Sequence, residues 1–138
     1  MGSFKYIQAN ERKMFKDKGA KHALVLTVEK EPIALRLNRP TRLTRAKMLG
    51  YRAKQSYIIV RVRVAKGSFR RPRPVHARKP SKTGLYFNLA ISKQKMAEFR
   101  ARRIFKNMDV LGSYFITENG QYKWFEVIMK ESKARKAA

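Results

Sequence analysis

Between Glu31 and Glu98 the chain contains eighteen lysines and arginines and no acidic residue. A segment whose charges all have one sign repels itself in water, because it lacks the interleaved opposite charges of an ordinary soluble surface. Such a segment is tolerated only where a polyanion neutralises it. The middle half of the chain therefore predicts a protein that is built against a negatively charged partner.

The charge of the whole chain favours nucleic acid as that partner. The 34 Lys and Arg residues against 9 Asp and Glu residues give a formal charge of +25 on 138 residues. The cations are spread over predicted strands, helices and loops alike, which is more typical of a protein surrounded by polyanion than of a membrane-binding patch. We expect no membrane partner, since no uncharged run approaches the ~18 residues of a membrane span.

The composition predicts a single domain over residues 1–138, with a polar tail at 131–138. Apolar residues make up 43% of the chain, so a small core is expected beside the basic segments. The absence of cysteine excludes a disulfide framework and a thiolate zinc site, and fits a reducing compartment. The N-terminus mixes charges with apolar residues and does not resemble a secretory signal.

In the first half of the chain, apolar spacing predicts an amphipathic helix that begins near Phe4 and ends near Gly19. The run His22–Val28 is ambiguous between a buried helix and a strand, and its Val and Thr residues favour the strand. Ile33–Leu37 is predicted to be a short strand. Thr41 is a candidate N-cap for a short helix that runs to Gly50 and presents a cationic face.

Tyr57–Val64 (YIIVRVRV) is the clearest strand prediction. Its alternation places four aliphatic residues on the core face, namely Ile58, Val60, Val62 and Val64. Arg61 and Arg63 share the other face, which we expect to meet phosphate or solvent.

The last third of the chain predicts a helix followed by a β-hairpin. The helix is Ser92–Phe105, with Ser92 as its cap, and its predicted inward residues are Met96, Phe99 and Ile104. The hairpin strands are Val110–Thr117 and Gln121–Met129. Asn119 and Gly120 lie between them and tolerate the positive φ of a tight turn.

The segment Lys66–Thr83 contains three prolines, a glycine and eight basic residues, which are seven lysines and arginines and one histidine. Its prolines exclude a helix or a central strand, so it is either a disordered loop or an extended strap that becomes ordered on its partner. A connection of this length suggests function. Phe69, which lies beside Ser68 and Arg70, is the best candidate for stacking on an unpaired base.

We expect no enzymatic activity, metal or cofactor. His22 opens an apolar run in which we expect it to pack, and His76 lies in the proline-rich strap, a poor position for a general base. The carboxylates are scattered rather than clustered for metal-dependent chemistry, as Asp17, Glu98, Asp109 and Glu126 illustrate. A Walker A motif and a dinucleotide-binding glycine loop are also absent.

Two pairs of segments carry a family resemblance. The first pair is Asn38–Lys54 (NRPTRLTRAKMLGYRAK) and Ile58–Val64; the second is Asn107–Tyr114 and Gly120–Val127. These segments resemble a family of large-subunit ribosomal proteins from archaea and eukaryotes, numbered fifteen-e. The resemblance covers roughly Arg36 to Met129. Family members usually continue for several dozen residues beyond the hairpin, so a short form is expected, and an archaeal origin is favoured over a eukaryotic one.

The resemblance implies an α+β fold, with a small antiparallel sheet flanked by helices, a long basic irregular loop and extended termini. It implies a structural constituent of the cytoplasmic ribosome that binds ribosomal RNA, contacts neighbouring large-subunit proteins and forms no homo-oligomer. It places RNA contacts at Arg39, Arg42, Arg45, Arg52, Lys54, Arg61 and Arg63. The alternative is a DNA-compacting chromatin protein.

The basic stretch itself adds further candidate RNA contacts. Arginine outnumbers lysine from Arg36 to Arg78, which favours planar, bidentate contact with phosphate. The added candidates are Arg36, Lys47, Lys66, Phe69, Arg70, Arg71, Arg73, His76, Arg78, Lys79 and Lys82.

Overall fold

The computed structural model of the chain describes residues 2–67 and 90–132. This part of the chain contains four helices and four strands, so the α+β class expected from the sequence is confirmed. In chain order the elements are α1 (Phe4–Lys16), α2 (Lys18–Glu29), β1 (Ala34–Leu37), α3 (Leu43–Met48), β2 (Tyr57–Ala65), α4 (Lys93–Ile104), β3 (Met108–Glu118) and β4 (Tyr122–Glu131).

The four strands form one antiparallel sheet in the order β1-β2-β4-β3. The two central strands are in register across the middle of the sheet, where Val60 lies opposite Val127 and Arg61 lies opposite Glu126. Strand β3 forms one edge, and the short strand β1 forms the other. The predicted strands at Ile33–Leu37 and Tyr57–Val64 and the predicted hairpin are all confirmed.

The turn of the β3–β4 hairpin differs in its chemistry from the prediction. The Oδ1 atom of Asn119 accepts hydrogen bonds from the backbone N–H groups of Gln121 at 2.9 Å and Tyr122 at 2.6 Å. Gly120 does not have a positive φ; among the described glycines that conformation occurs at Gly50 and Gly67. The asparagine side chain therefore closes the turn, and the backbone freedom of glycine is not used there.

Helix α4 covers one face of the sheet. The predicted cap is confirmed, since the Ser92 hydroxyl accepts a hydrogen bond from the Lys95 N–H at 3.1 Å. The inward residues were predicted incorrectly for Phe99 and Ile104, whose side chains are half exposed. The residues that pack on the sheet are Ala97 and Ala101, together with the partly buried Met96. The core on this face also includes Ile58, Val60, Val62, Val64, Phe125, Val127 and Met129, as the strand alternation predicted.

The other face of the sheet is covered by α3 and α2. Ala46 of α3 and Leu24 of α2 pack against Tyr114, Ile116 and Ile128. The strand favoured for His22–Val28 is wrong, because this run forms most of α2. Asp17 begins the helix, since its carboxylate accepts the N–H groups of Gly19 and Ala20 at 3.1 and 3.2 Å.

Helix α1, predicted as an amphipathic opening helix, is confirmed and ends at Lys16. Its main packing contacts are with α2 and α3. None of its residues is fully buried. Helices therefore cover both faces of the sheet, and this arrangement determines which arginines reach the surface.

Candidate nucleic-acid interface

A group of exposed cations lies along the chain from the end of β1 through α3 to the start of β2. We call this group the α3 surface. Each member has an exposed side chain that forms no hydrogen bond or ion pair with another described residue. Its members are Arg36, Arg39, Arg45, Lys47, Arg52 and Lys54.

The α3 surface is positioned by a helix that is anchored at both ends. At its start the N–H of Thr44 donates a 3.0 Å hydrogen bond to Glu11 of α1, and the Thr44 hydroxyl also donates to that carboxylate. At its end Gly50 adopts a φ of +91°, a conformation that favours glycine. Ala46 is fully buried between these ends. The exposed cations of α3 are therefore carried on a fixed backbone.

Thr41 does not cap α3 as predicted, because the N-cap position is Arg42. The N–H and hydroxyl of Thr41 both donate to the buried carboxylate of Glu126, at 3.0 and 2.5 Å. This contact attaches the loop that precedes α3 to the central strand β4. The loop that carries Arg39 is thus held from the sheet.

Arg42 was predicted to contact RNA but is partly buried. Its guanidinium lies over the ring of Phe15 in α1, 4.7 Å from the ring centroid. Its Nε atom is buried without a hydrogen-bond partner in the part of the chain that the structure describes. The cation–π contact makes Arg42 a link between α1 and the loop that begins α3.

A polar groove of about 380 Å³ adjoins the α3 surface. Its lining includes Arg36, Lys54, Tyr51 and Tyr57. Both tyrosines are partly buried, and Tyr51 packs against the core formed by Ala46. The groove combines cations, suited to phosphate, with aromatic rings on which a base can stack.

The structure contradicts the prediction that Arg61 faces phosphate or solvent. Its side chain is 9% exposed and is paired with two carboxylates. Nη1 lies 2.5 Å from Glu31, Nη2 lies 3.0 Å from Glu126, and Nη2 also donates to the Thr41 hydroxyl at 2.7 Å. Because helices cover this face of the sheet too, Arg61 neutralises buried acids, and its guanidinium does not reach the surface.

The buried network extends to Tyr114 of β3, whose hydroxyl donates a hydrogen bond to Glu126. Burial, and next the nearby Glu126 carboxylate, raise the pKa of Tyr114 well above its usual range. The phenol therefore stays neutral and remains a donor. Glu126 lies at the centre of this network and is fully buried. From the sequence, Glu126 was interpreted only as one of several scattered carboxylates, although an acid inside the apolar run YKWFEVIM indicates an internal partner.

Arg63 and Lys66 are partly buried and have partners within the chain. The guanidinium of Arg63 lies 4.6 Å from the centroid of the Tyr122 ring. Lys66 pairs with Glu118, an exposed residue of β3, at 3.3 Å. These contacts leave both cations at the rim of the sheet, partly accessible to a partner.

The remaining predicted contacts fall in the strap and lie outside the described residues. They are Phe69, Arg70, Arg71, Arg73, His76, Arg78, Lys79 and Lys82.

The described residues carry no cluster that resembles a catalytic or metal centre. Among residues 2–67 and 90–132, no three His, Asp or Glu side chains come together as metal ligands. His22 was expected to pack in an apolar run, but it is exposed on α2. Asp17 caps α2, and Glu98 accepts a hydrogen bond from Ser113 at 2.6 Å. These carboxylates hold the fold together.

Comparison with known protein families matches residues 2–137 to the family described as Ribosomal L15. The match extends beyond the resemblance seen between Arg36 and Met129, and it includes both N-terminal helices, which precede that range. No helix in the described part of the chain has the length and apolar composition needed to cross a bilayer.

Proposed function

Because the chain belongs to the Ribosomal L15 family, we propose that it binds large-subunit ribosomal RNA through arginine and lysine contacts to phosphate and thereby stabilises the folded RNA. Membership of the family makes the chain a structural constituent of the large subunit of the cytoplasmic ribosome, where it supports translation. The family is a structural one, and no observation favours an enzyme or the chromatin alternative. The proposal concerns how the chain holds RNA and which residues do so.

The observation that carries the proposal is the α3 surface. Six exposed cations lie within nineteen residues, from Arg36 to Lys54, with no acidic residue among them. Unpaired cations at this density repel one another, and phosphates relieve that repulsion while releasing counterions from the RNA. Four of the six are arginines, which bind phosphate in a planar, bidentate manner.

The fold contributes a fixed geometry. Thr41 is held by Glu126 and Thr44 is held by Glu11, so the backbone that carries the cations is set before RNA binds. A fixed array loses less conformational entropy on binding than flexible side chains on a flexible loop do. Such an array recognises the path of a phosphate backbone, so we propose recognition by RNA shape, with Tyr51 and Tyr57 available for a stacked base.

The experiment compares RNA binding by the wild-type chain and by Arg39→Gln/Arg45→Gln/Arg52→Gln across a salt series. A fragment of large-subunit ribosomal RNA is titrated by fluorescence anisotropy. If each arginine contacts one phosphate, the slope of log affinity against log salt should become shallower by about two to three. Affinity at about 0.1 M salt should fall at least tenfold.

The matched control is Lys13→Gln/Lys16→Gln/Lys30→Gln, which removes three exposed positive charges from α1 and the end of α2. It should change the salt slope by less than the α3-surface variant does. Equal losses in the two variants would mean that only total charge matters, and would contradict the assignment of the α3 surface. The same variants can be followed in sucrose gradients, where the α3-surface variant should leave the large-subunit peak at lower salt.

A further inference from the structure

Helix α4 carries a second group of cations, none of which was among the RNA contacts predicted from the sequence. The helix contains five basic residues and one acidic residue, Glu98. We call its basic residues the α4 surface; they are the partly buried Lys93 and the exposed Lys95, Arg100, Arg102 and Arg103. The side chains of Arg102 and Arg103 make no hydrogen bond or ion pair with another described residue.

The carboxylate of Glu98 offsets little of this charge on the outward side. It accepts a hydrogen bond from Ser113 of β3 and pairs with Lys95 at 2.8 Å. Asp109 and Arg102 both line a groove beside the β3 edge. The exposed Arg103 is not among the residues lining that groove. With five basic residues and one acid, α4 keeps a net positive charge.

The α3 and α4 surfaces lie on opposite sides of the sheet. Ala101 of α4 packs in the cluster that contains Val127, whereas Ala46 of α3 packs in the cluster that contains Ile128. Val127 and Ile128 are successive residues of β4, so their side chains point to opposite faces. Two helix layers and a sheet separate the outward sides of α3 and α4, which places the two surfaces about 30 Å apart.

We propose that the α4 surface is a second RNA-binding surface, and that the chain bridges two RNA segments, one on each side of its sheet. The inference rests on the proposed function, because it assumes that the α3 surface holds RNA. A single straight segment cannot touch both surfaces, since they face away from each other. RNA is a better occupant than an acidic protein, because both surfaces present unpaired arginines and the chain resides in a particle made largely of RNA.

A bridging role gives both charged surfaces one purpose. Two RNA segments brought within about 30 Å of each other repel through their phosphates, and a protein layer with cations on both sides offsets that repulsion. The sheet and its buried network keep the two surfaces at a set distance. The spacing between the RNA segments is then determined by the thickness of the fold.

The test uses two short RNA duplexes of the same sequence, one biotinylated and one fluorescent. The full chain is loaded on the immobilised biotinylated duplex, unbound protein is washed away, and the fluorescent duplex is added. The wild-type chain should recruit the fluorescent duplex. Arg102→Gln/Arg103→Gln should lower this recruitment at least tenfold and should change the loading on the first duplex about twofold or less.

Four controls make the result interpretable. Lys16→Gln/Lys30→Gln makes the same charge change at two exposed lysines that belong to neither surface, and it should recruit the second duplex normally. Arg102→Lys/Arg103→Lys keeps the charge and should retain most of the recruitment. Glutamine and lysine are both good helix formers, and the unfolding midpoint of each variant shows whether α4 is intact. Light scattering of the complex with one duplex shows whether protein dimers account for bridging.

Each outcome decides the inference. Undiminished recruitment by Arg102→Gln/Arg103→Gln would overturn it. If the wild-type chain held the first duplex but recruited no second one, as expected if α4 faces an acidic protein, the bridging role would be wrong while the proposed function stood. If the wild-type chain bound neither duplex, the proposed function itself would fail.

Discussion

The buried carboxylate of Glu126 should be one of the most sensitive positions of the fold, and Glu126→Gln tests this with almost no change in shape. The carboxylate accepts hydrogen bonds from the N–H and hydroxyl of Thr41, from Nε and Nη2 of Arg61 and from the Tyr114 hydroxyl. All of these groups are donors. A carboxylate satisfies them together, whereas an amide replaces one of its two oxygens with a donor.

The magnitude follows from the better of the two amide orientations. When the amide oxygen faces Arg61, the new NH₂ group takes the place of the Glu126 oxygen that accepts the Thr41 N–H at 3.0 Å. Two donors then face each other at that position. The Tyr114 hydroxyl can rotate and accept, but the Thr41 N–H is left buried and unsatisfied, at a cost of about 1–3 kcal/mol. Arg61 keeps Glu31 and loses part of a charge-assisted contact worth about 1.5–3 kcal/mol. We expect a total loss of about 3 kcal/mol.

The assay is urea unfolding of the free chain, followed by the fluorescence of Trp124, which is 1% exposed and is the single tryptophan of the sequence. A loss of about 3 kcal/mol corresponds to a fall in melting temperature of roughly 10 °C for a domain of this size. The matched control is Glu118→Gln, an identical change at an exposed residue, which should have a much smaller effect. A loss below about 1 kcal/mol for Glu126→Gln would refute the view that this network holds the loop before α3.

Three further predictions concern single positions. Gly50→Ala should lower the free energy of unfolding by about 1–2 kcal/mol, because alanine is strained at the φ of +91° that Gly50 adopts. A steric clash does not contribute, since the added Cβ would lie 3.8 Å from Leu111. Unchanged urea unfolding would contradict this prediction. The pKa of the Tyr114 hydroxyl is raised in the folded chain, so the unfolded chain loses the hydroxyl proton at a lower pH than the folded chain does. The free energy of unfolding should therefore fall above about pH 10, by up to about 1.4 kcal/mol per pH unit. Tyr114→Phe should lose that part of the alkaline slope, and an identical pH profile would refute the assignment. Glu11→Ala should lower the free energy of unfolding by about 1 kcal/mol in chemical unfolding, because Thr44 loses its hydrogen-bond acceptor. Thr44→Val in the Glu11→Ala background should lower it little further.

The sequence predicted the sheet well because alternation is a strong signal where one face is packed uniformly. In Tyr57–Val64 the four alternating aliphatic residues Ile58, Val60, Val62 and Val64 lie on the α4 side, as expected. The same reasoning failed for Arg61, because the alternation was interpreted as one strand face in the core and the other face in solvent. Helices cover both faces, so a charged residue on the second face needs an internal counter-charge, and the cross-strand partner Glu126 supplies it. That pairing depends on strand register, which the local pattern did not reveal.

The errors in the helices have a different cause. His22–Val28 contains β-branched residues that favour a strand, but tertiary packing outweighs this weak preference. The Asp17 carboxylate, a good N-cap just before the run, was the signal for a helix. In α4 the largest apolar residues were assigned inward, whereas the structure places Ala97 and Ala101 against the sheet. Small residues allow a helix to lie close to a sheet. The prediction relied on side-chain size alone and therefore placed Phe99 on the wrong side of the helix.

The distribution of charge in the fold explains how a chain of +25 folds at all. At least seven of its nine acidic residues accept hydrogen bonds or form ion pairs within the described structure, and most of these contacts join separate elements of the fold. The seven are Glu11, Asp17, Glu29, Glu31, Glu98, Glu118 and Glu126. Acids used in this way leave little negative charge to dilute the outward cations. Stability and RNA affinity should therefore respond to different residues. Loss of an inward acid such as Glu126 lowers the free energy of unfolding, whereas loss of an outward cation such as Arg45 lowers RNA affinity and, by removing self-repulsion, leaves the free chain as stable or more so.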